Sequence, residues 1–227
     1  MIYTLTLNPA VDVSMTVDRL DPEHKLHCSQ PQYHAGGGGI NVSKAIHRLG
    51  LPPGLSTDFY GQIARFAKTR HIRMVFDAAG ESLQKALDEG VFLIKPNFGE
   101  LARLVGVDQL VTEQINKAAH ELIGAGKCEV VVVSLGPRGA LLVTADGHEF
   151  IQAPPVKKIS TVGAGDSVVG GIVYALSQRK SYADMVRQGV ACGTAATMNP
   201  GTELFQRADA ERLLNWICQQ HPQPPTS

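Results

Sequence analysis

The amino-acid sequence predicts an α/β fold in which a mainly parallel sheet lies between helices. Strand-like and helix-like segments alternate through most of the 227 residues, a pattern typical of parallel sheets covered by helices on both faces. The run at residues 130–133 is entirely β-branched and apolar, as expected of a strand buried on both faces. Glycines and polar residues follow several strands, and ligands of open α/β sheets bind at the carboxyl ends of strands.

The N-terminal segment predicts one core strand and a separate hairpin. Residues 2–7 alternate β-branched and apolar side chains and predict a buried first strand. Asp12 follows at the carboxyl edge of that strand, where it could contact a ligand; the alternative is a carboxylate that caps a turn. Residues 13–17 and 27–34 predict two extended segments joined by a polar turn, a hairpin standing off the main sheet.

Four consecutive glycines at residues 36–39 lead directly into an apolar helix pattern that begins at Ile40. Four glycines are costly to order, and a flexible linker would not usually run into a helix so abruptly. A close approach of the backbone to a bound ligand explains the pattern better. Asn41 lies on the first turn and could hydrogen-bond that ligand, or it is simply a polar residue at a helix start. The spacing is not that of a dinucleotide fingerprint.

The remaining elements follow the same alternation, after a sharp break at residues 50–55 that contains two prolines. Predicted helices run from an N-cap at 56–58 to about Thr69, and over 81–87, 112–125, 167–178, 182–197 and 209–219. Predicted strands cover 72–76, 91–94, 130–133, 141–144 and 148–152, the last two forming a hairpin around Asp146-Gly147. Residues 221–227 are proline-rich and are expected to be disordered.

Asn97 and Glu100 follow the strand at 91–94 and stand three residues apart at a helix start. Both can therefore face the same cleft, and oxygen ligands at that spacing could hold a hydrated Mg²⁺. The alternative is a helix entry with a capping Asn and a Glu that complements the helix dipole.

The segment at residues 161–167 contains two glycines and Asp166, between a strand-like lead-in at 157–161 and a helix pattern from Ser167. A helix start offers unpaired N–H groups and the positive end of a dipole, which together bind anions. A carboxylate would repel a phosphate there. Asp166 fits if it takes a proton from an attacking hydroxyl while the N–H groups hold a transferring phosphoryl group. A plain strand-to-helix turn is the alternative.

Composition narrows the class of protein. The 21 basic and 21 acidic residues give a formal net charge of zero, and no basic block suggests a nucleic-acid partner. The four cysteines are far apart without a CxxC pair, which argues against a zinc site or disulfides and fits a reducing cytosol. No 18-residue apolar span or signal-peptide pattern is present, so we expect a cytoplasmic protein without a membrane segment.

Five motifs occur in one order, and with them the sequence resembles the ribokinase-like sugar kinases of the PfkB family over about residues 1–220. The motifs lie at residues 4–12, 36–42, 95–100, 134–139 and 161–167. The resemblance implies one kinase domain, with residues 13–35 as part of a β lid through which family members form homodimers. It also implies ATP-dependent phosphorylation of a sugar phosphate. Fructose 6-phosphate is the expected acceptor because the glycine run is uninterrupted. Fructose 1-phosphate, tagatose 6-phosphate and a shortened, inactive homologue are the alternatives.

The resemblance further implies roles for single residues. Asp166 would be the catalytic base, and the backbone of Gly163, Ala164, Gly165 and Asp166 would form an anion hole. Residues expected to bind the sugar phosphate are Asp12, Lys25, Gly37, Gly38 and Asn41, together with Asp166. Residues expected at the ATP site are Lys95, Asn97, Ser134, Gly136, Gly139 and Thr194, with Asn97 and Glu100 organising Mg²⁺. Residues expected around a monovalent cation such as K⁺ are Ser160, Val162, Ala196, Asn199 and Gly201.

The sequence departs from the family pattern at Gly50, where Leu51-Pro52-Pro53-Gly54 follows at once. In the family, further βα units and lid strands separate these two segments. We therefore expect an internal block to be missing at this junction. Such a block would carry part of the core sheet, half of the lid and dimer contact, and an arginine that binds the sugar phosphate.

Overall fold

The computed structural model describes residues 10–14, 32–36, 60–77, 81–200 and 203–220. Several expectations lie outside these ranges. They are the first strand at 2–7, the helix beginning at Ile40, the junction at Gly50 and the tail at 221–227.

Strands and helices alternate within the described ranges, as predicted. The strands are β1 (Ala10–Ser14), β2 (Gln32–Gly36), β3 (Val75–Phe76), β4 (Val91–Ile94), β5 (Cys128–Ser134), β6 (Gly139–Thr144) and β7 (Gly147–Gln152). The helices are α1 (Tyr60–Thr69), α2 (Glu81–Glu89), α3 (Phe98–Leu104), α4 (Thr112–Gly124), α5 (Ala164–Ser177), α6 (Tyr182–Ala196) and α7 (Arg207–Gln220), with a 3₁₀ turn at Gly136–Arg138.

The larger sheet has the strand order β3-β4-β5-β6-β7. Strands β3, β4 and β5 are parallel, as predicted for this part of the chain. Strands β6 and β7 pair antiparallel, because the tight turn at Gly147 returns the chain directly along β6. The described sheet is therefore mixed, with its antiparallel half supplied by the predicted hairpin.

Two apolar layers cover the two faces of this sheet. Along β5, Val130 and Val132 pack on one face with residues of α5, α6 and α7. Val131 and Val133 pack on the other face with residues of α1 to α4. All four valines are fully buried, since a strand covered on both sides needs an apolar residue at every position. The result is a three-layer α/β/α arrangement.

The predicted hairpin is confirmed as a separate two-stranded sheet, in which β1 and β2 run antiparallel. Its strands are displaced from the predicted ranges of 13–17 and 27–34. The pairing register sets their ends, since Ala10 faces Gly36 and Ser14 faces Gln32. The first residue of the four-glycine run therefore belongs to a strand.

Three further predictions of element bounds are wrong. Residues 157–161 are not a strand, because the N–H groups of Ile159 and Ser160 donate to the carbonyl of Thr197 instead of to a neighbouring strand. The strand predicted at 72–76 is limited to Val75–Phe76, and Ile72 is exposed. Helix α5 begins at Ala164 instead of Ser167.

Candidate active site

The carboxyl ends of β4 and β5 bring three predicted ATP-site residues together. Lys95 directly follows β4, and Ser134 ends β5. Asn97 and Ser134 form a parallel β-bridge, and the Ser134 N–H donates to the Pro96 carbonyl at 2.9 Å. The Lys-Pro-Asn segment therefore lies beside the end of β5, at the edge where α/β sheets bind ligands.

The predicted anion hole lies at the first turn of α5. Gly163 precedes this helix with φ +74°, a left-handed conformation that favours glycine. A side-chain carbon at this position would also lie 2.7 Å from Leu204 Cδ2. Ala164, Gly165 and Asp166 form the first turn, where backbone N–H groups lack partners within the helix. The Ala164 N–H donates to the Thr161 carbonyl in the preceding loop at 3.3 Å. The structure thus confirms a helix N-terminus here and places Asp166 within it.

Lys95 joins these two parts of the site. Its side chain is only 7% exposed, and its Nζ lies 3.7 Å from where a Cβ on Gly165 would stand. The ammonium group therefore lies against the first turn of α5. A positive charge and a helix N-terminus that face each other at one sheet edge make a site for an anion.

Sequence reasoning missed Asp77, which is the ion-pair partner of Lys95. Asp77 Oδ1 lies 3.3 Å from Lys95 Nζ. Burial raises the pKa of the Asp77 carboxyl group, the charge of Lys95 opposes that rise, and the charge of Glu100 adds to it. The available signal was its position, because Asp77 directly follows β3 just as Lys95 follows β4.

Asn97 and Glu100 form a reciprocal capping box at the start of α3. The Glu100 N–H donates to Asn97 Oδ1 at 2.9 Å, and the Asn97 N–H donates to Glu100 Oε2 at 2.8 Å. The capping alternative is therefore confirmed. It does not exclude a metal role, because Mg²⁺ is often held by one or two carboxylates, water and substrate phosphates. The nearby carboxylates of Asp77 and Glu100 fit that donor set.

Gly136 and Gly139 bound the short turn between β5 and β6 at the same sheet edge. Gly136 has φ +59° and is exposed, whereas Gly139 has φ +120° and is buried. The Leu135 N–H donates to the Gly139 carbonyl at 2.9 Å and closes the turn. A Cβ on Gly139 would overlap the carbonyl oxygen of Ile151, so a structural requirement explains this glycine independently of any ligand.

Thr194 lies near the end of α6 and is half-buried. Its neighbour Gly193 passes so close to α5 that a Cβ there would lie 3.1 Å from the Ala164 carbonyl oxygen. The last turn of α6 is therefore next to the first turn of α5. This arrangement places Thr194 in the neighbourhood of the helix N-terminus but gives it no ligand contact.

Four of the five predicted cation-site residues lie on two segments that contact each other. The Ser160 N–H donates to Thr197 at 3.2 Å. The Asn199 N–H donates to the Ala196 carbonyl at 3.3 Å, and Asn199 Nδ2 donates to the carbonyls of Ala195 and Leu204. Val162, on the loop before α5, is half exposed, and Gly201 lies outside the described residues.

The sugar side of the predicted site is mostly outside the described ranges. Asp12 lies in β1 opposite His34, and Lys25, Gly37, Gly38 and Asn41 belong to undescribed segments. Their predicted roles therefore stay predictions.

The described part of the chain contains no cluster of three or more His, Cys, Asp or Glu residues that could hold a metal ion. No described helix is long and apolar enough to cross a membrane.

The fold is shared with carbohydrate kinases. Ribokinase from Arabidopsis thaliana, solved with ribose and ATP, matches with a TM-score of 0.78 over 94% of this chain and 99% of that one. Sequence identity is 17%, so this likeness establishes the fold alone. The architecture is that of the ribokinase-like α/β kinases.

The sequence carries the assignment further. The model described as pfkB family carbohydrate kinase matches residues 51–208. The ATP-dependent 6-phosphofructokinase isozyme 2 of Escherichia coli is 32% identical over 304 aligned positions, which cover 95% of this chain and 98% of that protein. A crystal structure of phosphofructokinase-2 from Escherichia coli in complex with potassium matches with a TM-score of 0.86 and 30% identity, over 95% and 98% of the two chains. The chain therefore belongs to the pfkB family of carbohydrate kinases, and the predicted resemblance is confirmed.

This chain is shorter than that relative. Because 227 residues cannot fill 304 aligned positions, at least 77 positions of the Escherichia coli enzyme have no counterpart here. The family match begins at residue 51, the position at which the sequence departs from the family pattern.

Proposed function

We propose that the protein transfers the γ-phosphoryl group of ATP to the 1-hydroxyl of fructose 6-phosphate. The observation that carries the proposal is the contact between the Lys95 ammonium and the first turn of α5, at the sheet edge that also carries Asn97 and Ser134. The name of the Escherichia coli relative, an ATP-dependent 6-phosphofructokinase, supports the choice of donor and acceptor.

Phosphoryl transfer needs positioning, charge neutralisation and a proton acceptor. The N–H groups of Gly163, Gly165 and Asp166 would face the transferring phosphoryl group, and the Lys95 ammonium beside them would add a positive charge. The Ala164 N–H donates to the Thr161 carbonyl at 3.3 Å and would hold the loop in place. Donors that are already oriented stabilise developing charge without reorganising during the reaction. A helix N-terminus and an adjacent buried lysine meet that condition.

Asp166 would act as the general base. As the sugar hydroxyl oxygen forms its bond to the γ-phosphorus, its proton passes to the Asp166 carboxylate. The bond from the γ-phosphorus to the bridging oxygen breaks, and ADP leaves with that electron pair. The position of Asp166 in the first turn of α5 supports this role, because a base must lie within hydrogen-bond reach of the hydroxyl.

The remaining residues would hold the substrates and ions. Ser134, Gly136, Gly139 and Thr194 would border ATP, and Asp12, Lys25, Gly37, Gly38 and Asn41 would bind the sugar phosphate. Asn97 and Glu100 would organise Mg²⁺, which supplies charge neutralisation to phosphate oxygens when it is bound. Ser160, Val162, Ala196, Asn199 and Gly201 would surround a monovalent cation. The potassium complex of the Escherichia coli relative supports that last assignment.

The proposal is tested by measuring ADP release from MgATP with fructose 6-phosphate, fructose 1-phosphate and tagatose 6-phosphate in turn. We expect fructose 6-phosphate to be the best acceptor. Asp166→Asn should lower kcat by about 100- to 10,000-fold, the usual contribution of a general base. The control is Asp146→Asn in the exposed β6–β7 turn, which should keep the parent rate.

Two outcomes would contradict the proposal. Absence of ADP release with all three acceptors would exclude sugar-phosphate kinase activity for this chain. An Asp166→Asn variant as fast as the parent would remove Asp166 as the base, even if the activity itself were present.

The second candidate is a nucleotide-binding homologue that lacks catalysis. The 77 or more missing positions favour it, because a shift of about 1 Å in a reacting group can cost on the order of 100-fold in rate. Calorimetry separates the two candidates. ATP binding without sugar-phosphate binding at millimolar concentration supports the inactive homologue.

A further inference from the structure

Asp77 has a carboxylate whose position at the candidate site needs an explanation. Its Oδ1 lies 3.3 Å from Lys95 Nζ, and the two side chains are 28% and 7% exposed. A carboxylate next to a phosphate site repels the ligand, so its presence there is unfavourable unless a cation lies beside it. The Lys95 ammonium is the cation that the structure places in contact with Asp77; a Mg²⁺ ion bound with ATP would be a second one.

Lys95 needs such a partner. Burial of an ammonium group is costly unless a charge or hydrogen bonds compensate it. Among the residues that the structure describes, Asp77 supplies the one carboxylate in ion-pair contact with this Nζ. The lysine side chain is long and flexible, and a single fixed anion at its end restricts where the ammonium can lie.

Asp77 holds the Lys95 ammonium on the side that faces α5. Lys95 Nζ contacts Asp77 and also lies beside Gly165, in the first turn of α5. An ammonium has three N–H donors, so one can remain on Asp77 while another points to an anion at the helix. Glu100 is also close enough for its charge to act on Asp77, which makes this a cluster of three charged side chains at the ends of β3 and β4.

We propose that Asp77 is a positioning residue that holds the Lys95 ammonium against the first turn of α5, where it meets the transferring phosphoryl group. The inference rests on the proposed kinase function. Asp77 acts through Lys95 and does not itself touch the substrate.

The test is a double-mutant cycle of Asp77→Asn, Lys95→Met and the double variant, with kcat and KM measured separately for MgATP and fructose 6-phosphate. Asp77→Asn should lower kcat/KM for MgATP by about 10- to 100-fold, the usual cost of a misplaced site group. The KM for fructose 6-phosphate should change by less than about twofold. In the Lys95→Met background, Asp77→Asn should have no further effect, because residues that act through one group are not additive.

Two further variants separate positioning from general damage. Asp77→Glu keeps the charge and should recover part of the lost kcat/KM. Asp88→Asn is the matched control, since Asp88 pairs with Lys127 Nζ at 2.7 Å on the surface; it should match the parent. If Asp77→Asn fails to fold, Asp77→Glu and the double variant, which lacks both charges, still decide the question.

The inference is overturned if the losses in the double variant are additive, or if Asp77→Asn weakens both substrates equally. Failure of the kinase proposal is distinguishable. If the unmutated protein binds ATP but transfers no phosphoryl group, the kinase function is contradicted. The double-mutant cycle can then still be measured, with the rise in melting temperature caused by MgATP in place of kcat/KM. In that case Asp77→Asn must reduce the rise in the parent background and leave it unchanged beside Lys95→Met. A parent that neither transfers nor binds ATP overturns both.

Discussion

Backbone geometry requires glycine at position 139. Its φ of +120° is a conformation that L-residues rarely adopt, and a Cβ would overlap the Ile151 carbonyl oxygen and lie 2.8 Å from the Ala153 nitrogen. We expect Gly139→Ala to lower the free energy of unfolding by about 3 kcal/mol or more, since strained φ/ψ regions alone cost about 1–3 kcal/mol.

The control for this substitution is Gly106→Ala. Gly106 has φ +75°, but nothing lies within 4 Å of a Cβ there, so the cost should be about 1–2 kcal/mol from the left-handed conformation alone. Urea unfolding of both variants measures the difference. Equal losses would show that the contact with Ile151 relaxes without cost.

Single residues also show what sequence could and could not indicate about the site. The motifs placed Lys95, Asn97 and Ser134 together, and the structure confirms that they lie at one sheet edge. Asp77 could not be found in this way, because its meaning depends on a lysine 18 positions later in the chain. The pairing itself leaves no local sequence pattern, and the position of Asp77 directly after β3 was the available signal.

At the level of the element, helix α3 allows its capping and metal roles to be separated. Glutamine can replace glutamate in a capping box, so Glu100→Gln should keep the hydrogen bond from the Asn97 N–H and the melting temperature. If Glu100 also organises Mg²⁺, this variant should lose about tenfold or more of kcat and need more Mg²⁺, as when a metal-site residue is removed.

Two controls complete that prediction. Glu113→Gln changes the acidic residue in the first turn of α4 and should match the parent in rate. Asn97→Ala should cost about 0.5–2 kcal/mol of stability, the usual loss of an N-cap. A Glu100→Gln variant with the Mg²⁺ dependence of the parent would leave capping as the role of Glu100.

Helices α5 and α6 cross at close range, and glycines allow this approach. Replacing a glycine at the crossing by alanine should therefore destabilise the protein, whereas the same replacement in an uncrowded helix should not. A Cβ on Gly171 would lie 2.7 Å from the Gln188 carbonyl oxygen, whereas a Cβ on Gly124, in α4, would contact nothing within 4 Å. Gly171→Ala should cost about 1–3 kcal/mol through overpacking. Gly124→Ala should be neutral or stabilise by up to about 1 kcal/mol, because alanine favours helix. Thermal melts of both variants decide, and a stable Gly171→Ala variant would show that the two helices can separate.

Element types were more predictable than element ends. The apolar run Val91–Ile94 and the turn at Gly147 correspond to a strand and a hairpin in the structure, because burial on both faces and turn chemistry are local signals. Residues 157–161 were wrongly predicted as a strand. Their partner is the carbonyl of Thr197 at the end of α6, and a contact so distant in sequence cannot be read from the segment itself.

At the scale of the whole molecule, two apolar layers pack on opposite faces of one sheet. We expect this arrangement to make unfolding cooperative. Residues on both faces of β5 belong to the two layers, so neither layer can melt without exposing the other. We propose that residues 1–220 form a single domain from which a block is absent at Gly50–Leu51. The predicted sugar-binding residues Asp12 and Asn41 precede that junction, and Lys95 and Asp166 follow it. Ligand binding therefore requires both parts of the chain to fold together, and one unfolding experiment can test folding and binding.

Thermal unfolding with and without MgATP tests this view of the molecule. We expect one cooperative transition, as single domains usually show. A ligand present at 100 times its dissociation constant for the native state adds about 2.7 kcal/mol to the free energy of unfolding. For a chain of this size that corresponds to a rise of roughly 5–10 °C in Tm.

Lys95→Met should reduce this rise in Tm, because it removes the ammonium beside the first turn of α5. Lys117→Met, on the exposed face of α4, is the control for loss of a surface cation and should keep most of the shift. Two separate transitions would contradict the single domain, and an unchanged midpoint in saturating MgATP would contradict nucleotide binding by the shortened chain.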